Sequence, residues 1–159
     1  MIKAIFAIDE AGAVGIDGHL PWPNNATDLK HFQSKTLGST VIMGRKTWEG
    51  LPENVRPFAD RTNLVISKQK KYKAKGAIVL HPLQLAEYLN KKGHQQDFFV
   101  IGGAQLILSL VHKIEYIYMT VIEGRYPADT YLDVELLLQH FHLISSNHVN
   151  NCIFREYTA

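Results

Sequence analysis

The chain has 159 residues, of which 46% are hydrophobic and 20% charged, and its formal net charge is +2 at pH 7. This length suits one globular domain with a substantial core, and so small a net charge argues against a nucleic-acid-binding or membrane-surface protein. The single cysteine, Cys152, excludes an internal disulfide and fits a reducing compartment. The apolar start reaches Asp9 too soon for a signal peptide, and no apolar run approaches membrane-spanning length. We therefore expect a single domain covering residues 1–159.

Short apolar runs alternate with helical patterns along most of the chain. Strands are predicted at 2–8, 40–43, 63–67, 77–80, 97–101 and 114–122, and helices at about 25–35, 82–92 and 104–111, with a helical turn after Gly44. Gly38 and Gly93 follow two of these helices, as is typical of helix ends. The last two strands, 141–146 and 150–157, are predicted to pair as a hairpin at the sheet edge. This order predicts an α/β fold with a mostly parallel sheet and an antiparallel tail.

Residues 20–32, LPWPNNATDLKHF, place an acid beside aromatic side chains. The two prolines prevent a helix from starting early, and Asn25 is a good N-cap. Asp28 then falls at the third helical position, where a carboxylate can bond back to the cap. Leu29 and Phe32 follow at helical spacing and give the helix an apolar face. Two interpretations of Asp28 stay open at this point: a helix cap, or the polar contact of a pocket for an apolar ligand.

Four loops that follow predicted strands are candidates for holding a ligand. They contain three glycines in residues 12–18, the run 44–47 (GRKT), Ser67 with Lys68 at the start of a lysine-rich run, and the pair Gly102-Gly103. Free backbone N–H groups at a helix start favour phosphate, and cations add to this attraction. Each loop alone also fits an ordinary surface connection, but the carboxyl ends of parallel strands share one edge, where ligands bind.

In their order and spacing, these segments resemble dihydrofolate reductase over nearly the whole chain. The most specific pieces are VGI at 14–16, LPW at 20–22, DLKHF at 28–32, VIMGRKTWE at 41–49, RPF at 56–58 with Arg61 and Asn63, VIGG at 100–103 and DT at 129–130. The resemblance implies a three-layer fold with an approximately eight-stranded, mostly parallel mixed sheet, an antiparallel C-terminal strand and about four flanking helices. It also implies reduction of 7,8-dihydrofolate to 5,6,7,8-tetrahydrofolate by NADPH, in support of one-carbon metabolism and thymidylate synthesis.

The resemblance further implies roles for individual residues. The catalytic residues would be Asp28 and Thr120 against the pterin ring, and Leu20 and Trp22, near which a water would deliver the proton. The substrate walls would be Ile5, Ala7, Leu29, Phe32, Leu51, Phe58 and Ile101, and Arg61 would pair with the glutamate carboxylate of folate. Cofactor contacts would come from Ala7, Val14, Gly15, Ile16, Gly18, His19, Leu20, Gly44, Arg45, Lys46, Thr47, Ser67, Lys68, Gly102, Gly103, Ala104, Gln105 and Thr130. Residues 12–23 would close over the nicotinamide, and the Gly102-Gly103 peptide bond would be cis.

The chain departs from the family pattern at several positions. The segment between Trp22 and Asp28 is about one residue longer than in the compact bacterial form. Ala104 stands where a third glycine is common, and Ile107 stands where the family usually has a tyrosine near the nicotinamide. Lys68 replaces the more usual Ser, Thr or Arg, and a cation there should favour NADPH over NADH.

Two alternative functions remain open from the sequence. One is another NADPH-dependent reductase of the same fold, of the riboflavin-pathway type, which would not need Asp28 with Thr120, nor Arg61. The other is a protein that binds folate or NADPH without catalysis. In each case we expect a cytoplasmic monomer that handles a small molecule and uses no nucleic acid, membrane or metal.

Overall fold

The computed structural model describes residues 1–92 and 95–159, so the predicted helix end at Gly93 lies outside the described residues. The strands are β1 (Ile2–Asp9), β2 (Ala13–Gly15), β3 (Thr40–Gly44), β4 (Thr62–Ile66), β5 (Ile78–Leu80), β6 (Phe98–Gly102), β7 (Tyr116–Ile122), β8 (Thr130–Tyr131), β9 (His142–Val149) and β10 (Cys152–Thr158). The helices are α1 (Ala26–Thr36), α2 (Arg45–Gly50), α3 (Pro82–Lys92), α4 (Ala104–Ser109) and α5 (Val134–Leu137), and a 3₁₀ turn (Leu138–His140) follows α5.

Eight strands form one sheet in the order β5-β4-β3-β6-β1-β7-β10-β9. The pairings from β5 to β7 are parallel, whereas β10 is antiparallel to both β7 and β9. The predicted mixed sheet with an antiparallel C-terminal end is therefore confirmed. A second small sheet, β2 with β8, was not predicted, because three residues among glycines show no usable apolar alternation. The short α5 was also missed, and α4 ends two residues earlier than predicted.

One face of the sheet packs against α3, α4 and α5. Ile42 and Val100 on this face belong to a buried cluster with Leu85 of α3, Ile107 of α4 and Leu137 of α5. Burial of both sheet faces explains why the parallel strands are almost continuously apolar in sequence. None of the helices in the described residues is long and apolar enough to cross a membrane.

The other face packs against α1 and α2. Val41 and Phe99, each the chain neighbour of a residue on the first face, belong to a second cluster with Trp48 of α2 and the partly buried Phe32 of α1. Side chains alternate between faces along a strand, so adjacent residues serve the two clusters. The fold therefore has three layers, and most of the predicted apolar wall residues lie between the sheet and the helices α1 and α2.

The start of α1 is capped as predicted, but by only half of the predicted capping box. The side chain of Asn25 accepts a hydrogen bond from the backbone N–H of Asp28 at 3.0 Å. The Asp28 carboxyl instead lies beside the Thr120 side chain, which only partly offsets the burial that raises its pKa. Asn25 Nδ2 also donates to Asn151 Oδ1 at 3.0 Å, which joins the start of α1 to the turn between β9 and β10.

A fully buried carboxylate, Asp9, organises the loop after β1. It accepts hydrogen bonds from the backbone N–H groups of Ala11 (2.8 Å), Ala13 (3.0 Å) and Tyr126 (2.9 Å). Burial acts to raise the pKa of Asp9, but these hydrogen bonds, with help from Arg125, outweigh burial and the pKa is lowered. An ionised Asp9 therefore holds the loop after β1 and the loop after β7 together.

The same loop rests directly on the end of α2. Gly18 approaches so closely that a Cβ on Gly50 would stand 2.0 Å from the Gly18 carbonyl oxygen. The ring Nδ1 of His19 lies 3.1 Å from the carbonyl oxygen of Gly50, and the backbones of Ile16 and His19 exchange two hydrogen bonds of 2.8 Å. The conformation of this loop depends on the absence of a side chain at residue 50.

We predict that Asn25→Ala lowers the stability of the fold, because the N–H of Asp28 loses its cap. Loss of an N-cap costs about 1 kcal/mol, which for a domain of this size lowers Tm by about 2–4 °C. Thermal unfolding followed by circular dichroism measures the change, with Asn24→Ala at the exposed neighbouring position as the control. Equal Tm values for the two variants would contradict the capping role.

We predict that Gly50→Ala displaces the loop that contains Gly18. A favourable Gly→Ala substitution gains about 0.4–1 kcal/mol, but overpacking against backbone costs about 1–3 kcal/mol, so the net effect is destabilising. The amide protons of Ile16 and His19 should exchange faster in this variant. Lys46→Ala, at an exposed position of the same helix, is the control. Unchanged exchange at both amides would show that the loop does not need the close contact.

Candidate active site

The central acid, Asp28, lies on α1 above the junction of β1 and β7. Ala7 of β1 and Thr120 of β7 are register partners, and Thr120 is only 1% exposed. Burial raises the pKa of the Asp28 carboxyl, and the hydrogen bond from Thr120 offsets this only in part. A carboxylate in this setting is short of hydrogen-bond donors, so it favours a ligand that presents N–H groups at an apolar surface.

Most of the predicted apolar walls lie together. Five of the seven, Ile5, Phe32, Leu51, Phe58 and Ile101, belong to the cluster between the sheet and the helices α1 and α2. The ring centroids of Phe32 and Phe58 lie 5.2 Å apart.

The other two predicted wall residues lie outside this cluster. Ala7 packs instead with the buried Trp22, in a third cluster beside the start of α1. Leu29 is 56% exposed on the outer side of α1, and Leu20 of the preceding loop is 58% exposed.

Arg61 is held firmly at the far end of α1. Its Nε donates to the Thr36 hydroxyl at 2.9 Å, Nη1 donates to the Ala59 carbonyl at 2.7 Å, and Nη2 donates to Gln33 Oε1 at 2.8 Å and to the Gln33 carbonyl at 3.2 Å. Burial lowers the pKa of Arg61, although a guanidinium remains charged at any physiological pH. The side chain is therefore a pre-positioned cation whose nearest displaceable partner is the Gln33 amide.

The neighbouring strands β3 and β6 both end in glycine, at Gly44 and Gly102, and Gly103 follows Gly102. We call these three residues the glycine edge. Met43 and Gly102 are register partners, and a Cβ on Gly44 would lie 3.9 Å from the backbone nitrogen of Gly103. The Gly102-Gly103 peptide bond is cis, as the resemblance implied. A Cβ on Gly102 would lie 3.4 Å from Thr47 Oγ1, so a side chain at this position would press against the first turn of α2. Beyond the glycine edge, Ala104 is half-buried and Gln105 is exposed at the start of α4.

Basic side chains lie beside this edge, after the ends of β3 and β4. Arg45 is the first residue of α2, and its Nη1 donates to Glu49 Oε1 at 2.8 Å. Lys46 and Lys68 are exposed, whereas Ser67 is buried and its Oγ accepts from the N–H of Gln69 at 3.1 Å. The sequence predicted these cations but not the acid among them, because Glu49 shows no pattern apart from its helical spacing from Arg45.

The predicted cofactor residues of the first loop are also brought together. A Cβ on Gly15 would lie 3.5 Å from the Cβ of Thr130 and 3.6 Å from the carbonyl oxygen of His19. Val14 and Ile16 flank Gly15, and Gly18 packs on α2 as described above. Asp129 Oδ2 accepts from the N–H of Asp17 at 2.9 Å, and Asp129 N–H donates to the Gly15 carbonyl at 3.0 Å.

Three residues that position this site were missed by sequence reasoning. Asp9 was noted only as the charge that ends the apolar start, Asn151 as part of a hairpin, and Tyr72 as part of a lysine-rich loop. Their partners are 23 to more than 100 positions away in the chain or are backbone N–H groups, and neither kind of contact leaves a local sequence pattern. Ile107, where the family usually has a tyrosine, is 3% exposed and lies in the core cluster on the opposite sheet face.

The comparisons with known proteins agree with this geometry. The chain matches the family model described as dihydrofolate reductase over residues 1–157. It is 30% identical over 148 residues to a dihydrofolate reductase of Lactococcus lactis, covering 91% of this chain and 85% of that protein. It is 32% identical over 158 residues to the dihydrofolate reductase of Sus scrofa, covering 91% of this chain and 84% of that protein.

A solved structure shows the same fold. It is a dihydrofolate reductase from Enterococcus faecalis complexed with NADP(H) and RAB-propyl, with a TM-score of 0.85 and 28% sequence identity, and the match covers 99% of this chain and 95% of that one. With a family match over nearly all residues and the same three-layer architecture around Asp28, the chain belongs to the dihydrofolate reductase family.

Proposed function

We propose that this chain reduces 7,8-dihydrofolate to 5,6,7,8-tetrahydrofolate with NADPH, and that Asp28 binds the pterin ring. The observation that carries the proposal is the half-buried Asp28 carboxyl beside Thr120, near an apolar cluster and on the same side of the sheet as the glycine edge. The reaction needs a polar anchor for a flat heterocycle and an open surface for a dinucleotide. Both lie here on one side of one sheet.

The substrate is held at both of its ends in this proposal. Asp28 accepts hydrogen bonds from the amino and amide edge of the pterin, and the apolar cluster covers the ring and the benzoyl group. Arg61, at the other end of α1, pairs with the glutamate carboxylate by giving up the Gln33 side chain. One helix therefore sets the distance between the two polar anchors, which suits a reaction that depends on orientation.

The residues present fit NADPH. The edge formed by Gly44, Gly102 and Gly103 offers backbone without side chains to a planar ring, and Arg45 with Lys46, Thr47, Ser67 and Lys68 supplies charge and hydrogen-bond donors for phosphates. Bound NADPH would supply the hydride. The lysine at position 68 adds a charge that favours the cofactor with the additional 2′-phosphate.

The chain's part in the proton transfer is electrostatic. Asp28 lies at the amino edge of the ring in this proposal, so its negative charge stabilises a protonated pterin without handing over the proton itself. A water admitted beside Leu20 and Trp22 delivers that proton. The exposed Leu20 and the buried Trp22 are adjacent to a loop whose position depends on Gly50, so the same loop controls access of water.

We further propose that the protein acts as a single-domain monomer in the cytoplasm. The residues proposed for the site all belong to one chain, which fits a monomer, and the lone cysteine, Cys152, is a buried free thiol, which fits a reducing compartment.

Loss of the nicotinamide absorbance on mixing NADPH with dihydrofolate tests the proposed reaction. The rate should fall when an antifolate that mimics the pterin is added, because it competes for Asp28. A ribosylated pyrimidine of the riboflavin pathway, supplied in place of dihydrofolate, should give no oxidation. Oxidation with the pyrimidine alone would identify the rival reductase, and NADPH binding without oxidation by either substrate would identify a binding protein.

We predict that Asp28→Asn separates activity from stability. Turnover near neutral pH should fall by about 10²- to 10³-fold, the size of a lost charge in a preorganised site, while dihydrofolate binding is retained in part. Because the folded protein raises the pKa of Asp28, ionisation costs folded-state stability above the ordinary pKa of an aspartate. The variant should therefore have a higher Tm than the parent at pH 7, and the difference should vanish at about pH 3, where both states are protonated. Wild-type turnover in this variant would refute the role of Asp28.

We predict that Arg61→Lys weakens binding of dihydrofolate much more than binding of dihydropteroate, which lacks the glutamate. A lysine cannot reproduce the planar fork, and a lost charged hydrogen bond is worth about 1.5–3 kcal/mol, so KM for dihydrofolate should rise about 10- to 100-fold. Steady-state kinetics with the two substrates measures the change. Equal effects on both substrates would mean that Arg61 acts only by supporting α1.

A further inference from the structure

A three-residue contact beside the cofactor edge joins α2 to the lysine-rich loop. Arg45 Nη1 donates to one carboxylate oxygen of Glu49, Oε1, at 2.8 Å. The hydroxyl of Tyr72 donates to the other oxygen, Oε2, also at 2.8 Å. The Arg45 and Glu49 side chains are 28% and 44% exposed, so the pair lies at the surface where a ligand can reach it.

The arrangement leaves most of the Arg45 guanidinium unused. Arginine carries five N–H donors in a planar fork, and its strongest partner is a carboxylate or phosphate that takes two of them side by side. Within residues 1–92 and 95–159, the only hydrogen bond from the Arg45 side chain is the one to Glu49 Oε1. Tyr72 holds Oε2 of Glu49 and so fixes the carboxylate in the orientation in which only Oε1 meets Arg45.

We propose that Tyr72 is a positioning residue for cofactor selection, which keeps Glu49 from capturing Arg45 bidentately and so leaves the guanidinium fork for the 2′-phosphate of NADPH. This inference rests on the proposed function, in which Arg45 is a phosphate ligand. Tyr72 acts through Glu49 and does not touch the cofactor. Glu49 holds Arg45 by one bond, which orients the side chain without closing it to an anion.

The chemistry of Tyr72 suits this part. Burial and the neighbouring Glu49 carboxylate raise the pKa of its phenol, so the hydroxyl keeps its proton and remains a donor at physiological pH. Surface ion pairs such as Arg45 with Glu49 are weak, so a dianionic phosphate can bind Arg45 while Glu49 takes only one of its N–H donors. A bidentate pair of Arg45 with Glu49 would compete much more strongly with the phosphate.

The test uses direct binding of NADPH and NADH to the purified full chain, measured by titration calorimetry. Tyr72→Phe should raise the Kd for NADPH about three- to tenfold, the size of one redirected hydrogen bond, and should leave the Kd for NADH within about twofold, since NADH lacks the phosphate. Adding Glu49→Gln to this variant removes the competing charge, so the double variant should recover the NADPH affinity of the parent. Tyr88→Phe, on α3 in the opposite layer, is the matched control and should change neither Kd.

The outcomes separate this inference from the proposals on which it rests. If Tyr72→Phe weakens both cofactors equally and Glu49→Gln does not restore binding, Tyr72 only supports the loop and the inference is overturned. If Arg45→Gln abolishes the preference for NADPH while Tyr72→Phe leaves it intact, the phosphate site stands and the inference alone fails. If Arg45→Gln leaves the preference unchanged, the phosphate lies elsewhere and both fail. Because binding is the readout, these results do not depend on whether dihydrofolate is the substrate.

Discussion

Burial of the Asp28 carboxyl is the constraint on which the rest of the site depends. It places a poorly solvated carboxyl of α1 beside Thr120, at the register pair of Thr120 with Ala7 in the middle of the sheet. A carboxylate that is costly to ionise in this setting suits the proposed ligand, which brings its own N–H donors. The raised pKa of Asp28 lowers the stability of the fold near neutral pH, as is common for groups at functional sites.

The second constraint is that two neighbouring strands must end without side chains. Gly44 on β3 and the cis pair Gly102-Gly103 after β6 bring two loops together with only Thr47 beside them. A side chain at any of these positions would contact the facing loop and cover the surface that we propose for the cofactor. The parallel sheet order places β3 and β6 side by side, so two glycine-bearing loops more than fifty residues apart in the chain meet at one edge.

Periodicity predicted the sheet and the main helices, because buried parallel strands and capped amphipathic helices leave strong local patterns. The N-cap at Asn25 is an example, since its side chain and the N–H of Asp28 are three residues apart. The contacts of Asp9 with Tyr126, of Glu49 with Tyr72 and of Gly50 with Gly18 left no such pattern, because the partners are distant and several are backbone atoms. Asp28 was ambiguous between a cap and a ligand contact from the helix pattern alone, and in the structure its backbone N–H is the group that the Asn25 cap holds.

The turn between β9 and β10 has a consequence for how drug resistance in such a protein should be sought. Asn151 Oδ1 accepts a hydrogen bond from Asn25 Nδ2, and Asn150 Nδ2 donates to Thr27 Oγ1 at 2.8 Å. This hairpin at the sheet edge therefore stabilises the first turn of the helix that carries Asp28. Surveys of inhibitor escape that sequence only ligand-lining codons would overlook both asparagines. Substitutions there would change how the first turn of α1 is held while leaving Asp28 itself intact, so codons 150 and 151 belong in the surveillance set.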